Sequence, residues 1–134
     1  MKDAQLSIAS KALPNTGANN NTNALDFNPE LNGFLTNEWR LGYLLVTFPA
    51  LSDHTNTSVT NTVTLQDSTD NSNFANTQPV VQVAVPGVAS TGSAQTKVKV
   101  PLPPTVRRYV RFNQNIPANG GNGNNALVTY DFVG

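Results

Sequence analysis

The chain has 134 residues, a formal net charge of zero, no cysteine and one histidine. That length suits a single domain with its own core; the lack of thiols removes disulfides, thiolate metal sites and cysteine nucleophiles, and one histidine leaves little for triad catalysis or multi-histidine metal sites. Nineteen Asn, fifteen Thr and eight Ser against 12% charged residues favour strands and turns, since Thr suits a pleated surface and Asn suits turns.

In chain order, residues 5–10 predict a short first strand after an N-terminal arm, and the Asn-rich residues 15–23 predict a mobile surface loop. A brief apolar run at 24–27 follows. Residues 40–48 are apolar on both faces, with Leu41, Tyr43 and Leu45 on one and Leu44, Val46 and Phe48 on the other. Such a strand is covered on both sides, by the core and by a loop, terminus or partner, which makes Leu44, Val46 and Phe48 candidates for a protein interface. Val59, Val63 and Leu65 alternate with Thr60, Thr62 and Thr64, the pattern of a half-buried strand. Val81, Val83 and Val85 repeat the alternation up to Pro86-Gly87, and Lys97-Val98-Lys99-Val100 repeats it up to Pro101. Residues 107–112 set Val110 and Phe112 against Arg107, Tyr109 and Arg111; residues 127–132 turn Val128, Tyr130 and Phe132 inward. About eight strands with long, uneven loops predict an all-β, jelly-roll-like two-sheet antiparallel sandwich spanning residues 1–134 as one domain.

The charges are uneven along the chain. Residues 1–70 carry three basic groups against seven acidic ones, whereas residues 71–134 carry five basic groups against Asp131 alone. Zero net charge disfavours nucleic acid as a partner, and the asymmetry suits docking between protein surfaces of opposite sign. The strongest surface feature is the Arg107, Tyr109 and Arg111 face with Lys97 and Lys99 upstream, since Arg and Tyr concentrate at the energetic centres of protein interfaces. Asp67 to Asn73 offers oxygen ligands at alternate positions, but Ser72 and Gln78 stand where a calcium loop needs Gly and Glu, and the same residue types make Asx turns. His54 is expected on a surface loop. No metal, cofactor or catalytic residue is assigned. The start, Met1-Lys2-Asp3-Ala4-Gln5, lacks the apolar core of a signal peptide, and no apolar run reaches the ~20 residues that span a bilayer, so no membrane partner is expected.

Several segments carry a resemblance. Leu65-Gln66-Asp67-Ser68-Thr69-Asp70-Asn71-Ser72-Asn73-Phe74, then Pro79-Val80-Val81, then Lys97-Val98-Lys99-Val100-Pro101-Leu102-Pro103 and Arg108-Tyr109-Val110-Arg111-Phe112 resemble the capsid cement or decoration proteins of tailed bacteriophages, of the Bordetella-phage cement type. The opening Asp3-Ala4-Gln5-Leu6-Ser7 is also similar to theirs, and the segments keep the family's order over roughly two-thirds of the chain. Departures fall at residues 15–23 and 30–40, where the family is usually shorter. The resemblance implies a small jelly roll without catalytic residues. It would be made in the host cytoplasm and carried on the outer capsid surface of the virion, commonly as a homodimer clamping neighbouring major capsid proteins. A carbohydrate-binding β-sandwich on the virion is the alternative. It would need exposed aromatic side chains, for which Trp39 and Tyr109 are the candidates.

Overall fold

The computed structural model describes residues 10–26, 43–78, 80–100, 107–121 and 126–133. Among the described residues ten strands follow one another: β1 (Lys11–Ala12), β2 (Ala18–Asn21), β3 (Leu25–Asp26), β4 (Tyr43–Phe48), β5 (Thr60–Ser68), β6 (Ala75–Asn76), β7 (Gln82–Pro86), β8 (Thr96–Val100), β9 (Tyr109–Ile116) and β10 (Leu127–Val133). One sheet has the order β1-β10-β4-β8. The other runs β2-β9-β5-β6, with β3 also on β9 and β7 also on β5, and every pairing is antiparallel. The chain crosses between sheets after β1, β3, β4, β7, β8 and β9, the winding of a jelly-roll sandwich.

Alternation decides which side of each strand is covered. Leu44, Val46, Phe48, Val100, Val128 and Tyr130 of the first sheet meet Val63, Leu65, Val83, Val85, Val110, Phe112 and Ile116 of the second, all buried. The rings of Phe112 and Tyr130 stack across the gap at 4.6 Å between centroids and 20° between planes. Such a pair is worth about 1 kcal/mol beyond its buried area. Leu44, Val46 and Phe48 are at most 1% exposed, so the interface role expected of them is corrected: they close the core.

A polar seam runs through this apolar layer. The Tyr130 hydroxyl donates to Gln114 Oε1 at 2.6 Å, Gln114 Nε2 donates to Asn20 Oδ1 at 2.9 Å and to the Ala12 carbonyl at 3.1 Å, and Asn20 Nδ2 donates to the same carbonyl at 3.0 Å. Since Tyr130 and Ala12 belong to one sheet and Gln114 and Asn20 to the other, the seam ties the layers together directionally, which apolar contact cannot do. It also explains β2. Residues 18–21 pair with β9 as a strand rather than forming the expected mobile loop, because Asn20 turns inward to the seam while Asn21 Oδ1 accepts from Asn113 Nδ2 on the outer face at 2.9 Å.

Other expectations shift in extent. β5 continues through Ser68, so Asp67 and Ser68 are strand residues, and β9 runs on through Asn113, Gln114 and Asn115 to Ile116. Of the first expected strand, residues 5–9 lie outside the described residues, as does Trp39; Ser10 precedes β1. Gly92 adopts φ +76, and a Cβ there would collide with the Leu51 carbonyl, so only glycine fits the reversal beside the Leu51–Ser93 bridge.

Candidate interaction surfaces

Lys97 and Lys99, grouped in the sequence with the Arg107, Tyr109 and Arg111 face, lie on the opposite side of the sandwich from Tyr109 and Arg111. Lys97 and Lys99 are exposed on β8 opposite Thr47 and Leu45, on the outer side of the four-stranded sheet. Tyr109 and Arg111 lie on β9 opposite Ser68 and Gln66, on the outer side of the six-stranded sheet. The chain changes sheets between β8 and β9, so neighbours in sequence end on opposite sides of the sandwich. Arg107 leaves the expected face as well. Its Nε and Nη2 donate to Asp67 Oδ1 at 3.0 and 2.9 Å, Nη2 also reaches the Asp67 carbonyl at 2.9 Å, and its backbone N–H donates to Asp67 Oδ2 at 3.0 Å. Asp67 is 5% exposed, and this fork joins the acidic half of the sequence to the basic half.

What remains is a compact patch. The Arg111 guanidinium lies 4.0 Å from the centre of the Phe74 ring and donates through Nε to Gln66 Oε1 at 3.0 Å, and that of Arg108 lies 4.8 Å from the centre of the Tyr109 ring. Partial burial draws the Arg111 guanidinium below its ordinary value, though an arginine stays charged at any ordinary pH. Each cation is held over an aromatic face, so a contact made through it would cost little side-chain entropy. Phe74 was not legible as a site residue; it reaches Arg111 because the turn after β5 folds back.

Asp70 holds that turn. Its Oδ1 accepts from the backbone N–H groups of Asn73 and Ser72, both at 2.9 Å, and from the Ser68 hydroxyl at 2.8 Å, and its Oδ2 accepts from Asn73 Nδ2 at 2.9 Å. These donors, the backbone N–H of Asn73 foremost, hold the carboxyl well below the usual carboxylate range. The loop is thus an Asx-type turn with its carboxylate committed. Because the folded-state value is depressed, this contribution is complete above about 3.9 and is lost as the pH falls through the folded-state value. Asp70→Ala should raise hydrogen-exchange rates at the Ser72 and Asn73 amides at neutral pH while leaving the β5 amides protected.

His54 corrects another expectation. It is fully buried, and its Nε2 donates to the Val85 carbonyl at 2.9 Å, while its backbone N–H donates to Leu51 and its carbonyl accepts from Val88. The residue is an internal strut between the segment after β4 and β7. Beside it, Asp53, Thr55 and Asn56 face Thr16, Asn119 and Gly121 across an open polar cleft. A Cβ on Gly121, whose φ is +89, would crowd Asp53 Oδ1 and His54, so glycine keeps the two turns together. Among the described residues no group of three or more His, Cys, Asp or Glu side chains could hold a metal ion, and no helix is long and apolar enough to cross a membrane. No family model, curated protein or solved structure matches this chain.

Proposed function

We propose that this chain is a structural, non-enzymatic virion protein that docks on the outside of an assembled tailed-phage capsid and, as a homodimer, clamps neighbouring major capsid proteins. The observation that carries this reading is the patch of Phe74, Arg108, Tyr109 and Arg111 on the outer face of the six-stranded sheet. Arginine and aromatic side chains concentrate in the energetic centres of protein interfaces because they bury large areas while keeping directional contacts. Two of the segments that resemble phage cement proteins, residues 65–74 and 108–112, supply this patch. The titratable groups around it have structural work: Asp67 holds Arg107 and Asp70 holds its turn. Jelly rolls serve in capsids and lectins alike, so the fold alone does not choose between these roles. Repetition around a symmetric shell would turn a modest contact into high avidity. No cofactor, nucleic acid or membrane enters the reading.

Purified chain mixed with undecorated capsids should bind to a saturating, symmetric stoichiometry. Arg111→Ala should weaken that binding about tenfold or more, whereas a Lys97→Ala, Lys99→Ala double variant should bind as the parent does. Absent or non-stoichiometric binding would end the proposal.

A second reading, carbohydrate binding, rests on the cleft lined by Thr16, Asp53, Thr55, Asn56 and Asn119, whose hydroxyls, carboxylate and amides match the alternating donors and acceptors of a sugar; the aromatic candidates for that role are not part of it, since Tyr109 lies on β9 and Trp39 outside the described residues. A glycan array tests it: retention of a glycan by the parent chain and its loss in Asp53→Ala would favour this reading over capsid docking.

A further inference from the structure

We propose that the outer edge of β7, which among the described residues pairs with β5 alone, pairs with β7 of a second copy, joining two six-stranded sheets antiparallel across a two-fold axis. The inference deepens the homodimer of the reading above by giving it a surface.

The backbone of β7 settles which groups are available. Leu65 N–H donates to the Val81 carbonyl and Gly87 N–H to the Val59 carbonyl, and Val83 and Val85 stand opposite Val63 and Asn61. Antiparallel pairing alternates, so Val81, Val83, Val85 and Gly87 turn their backbone groups to β5, and Gln82 and Ala84 turn theirs away. Pro86 offers only its carbonyl on that side. At the far end Val88 N–H is taken by the His54 carbonyl, which bounds the open stretch.

Apart from Pro86 at its end, no side chain guards this edge. Residues 71–96 contain no charged side chain, although proteins usually blunt an exposed edge with charge, proline, bulges or a short strand. The other long edge strand, β8, does carry such protection in Lys97 and Lys99, both exposed. β1 and β6 are two residues each, and β2 is four residues of mostly Asn. Val80 and Val88, 54% and 44% exposed, flank β7.

The strand is self-complementary, which selects a second copy as the occupant. With Ala84 opposite Ala84, the two Ala84 residues exchange N–H···O bonds, and Gln82 N–H of each copy meets the Pro86 carbonyl of the other. Pro86 has no N–H to return the bond, so the Gln82 carbonyl of each copy stays open to water at the end of the ladder. The same register brings Val80 of each copy to Val88 of the other, covering both exposed valines. The contact uses one patch on both copies and closes after two, so it gives a dimer rather than a fibre.

Sedimentation of the full chain over a range of concentrations tests this. The parent should form a concentration-dependent dimer. Ala84→Pro removes the central N–H without touching the β5 ladder, and Ala84→Lys sets like charges opposite each other; each should raise the dimer dissociation constant about tenfold or more. The far-UV spectrum checks folding, and if the proline variant fails to fold the lysine variant carries the test alone. A parent chain that stays monomeric, leaving the edge to a strand from another protein, overturns the inference, as does a dimer that the folded variants leave intact. A dimer sensitive to Ala84 that ignores capsids sustains this inference and overturns the cement reading; a monomer that binds capsids overturns this inference and the homodimer while sustaining the docking on the shell.

Discussion

Replacing Gln114 with leucine should destabilise the domain by about 3 kcal/mol, measured by urea denaturation, because a buried polar group stripped of its partner costs about 1–3 kcal/mol. The substitution strands the buried Tyr130 hydroxyl and removes one donor each from Asn20 Oδ1 and the Ala12 carbonyl. Tyr130→Phe alone should cost less, since it orphans only Gln114 Oε1 and preserves the ring stacked on Phe112. The double variant should recover part of the sum, because an apolar pair of similar shape leaves fewer unmet groups; additive losses would show that the seam is not a coupled unit. Tyr130 adds a pH signature. Burial pushes its phenol above the ordinary value, so the folded state keeps the proton where the unfolded chain releases it. That stability is fully present below about 10 and declines as the pH rises through the folded-state value. Tyr130→Phe should flatten this alkaline decline.

The same seam shows why part of the fold was illegible in the sequence. Strands β7 and β10 announce themselves because large apolar residues recur at every second position, Val83 and Val85 in the first, Val128, Tyr130 and Phe132 in the second. The second half of β9 does not, since its inward positions after Phe112 include Gln114, and a buried glutamine looks like a surface one until its partners arrive from β1, β2 and β10. β2 hides for the same reason: three consecutive asparagines signal a turn by local preference, and only the open side of β9 makes them a strand. His54 was misplaced because its acceptor, the Val85 carbonyl, is a backbone atom that no side-chain pattern reports. The patch was half legible. Tyr109 and Arg111 follow from strand alternation, but the separation of Lys97 and Lys99 from them depends on a sheet crossover, and Phe74 depends on the hydrogen bonds of Asp70.

Arg107→Ala should lower stability by about 2–3 kcal/mol and, on the proposed capsid docking, weaken that binding together with it, although Arg107 itself lies outside the proposed patch. The carboxylate of Asp67 is almost fully buried and loses both side-chain donors to Oδ1, keeping only the backbone N–H of residue 107 on Oδ2. Breaking a buried pair from one side costs about 3–5 kcal/mol; the 39% exposure of the Arg107 side chain lets water screen part of this, which sets the lower figure. Arg107→Lys should rescue little, because one ammonium cannot span the carboxylate and the Asp67 carbonyl as the guanidinium does. Arg107→Met with Asp67→Leu should recover stability, since no buried charge is then left unpaired. Capsid binding separates the two roles of this pair. The fork anchors the start of β9 against the end of β5, and Arg108 and Tyr109 follow it directly, so the apolar pair should restore binding if Arg107 acts by positioning. Restored stability without restored binding would place Arg107 in contact with the shell.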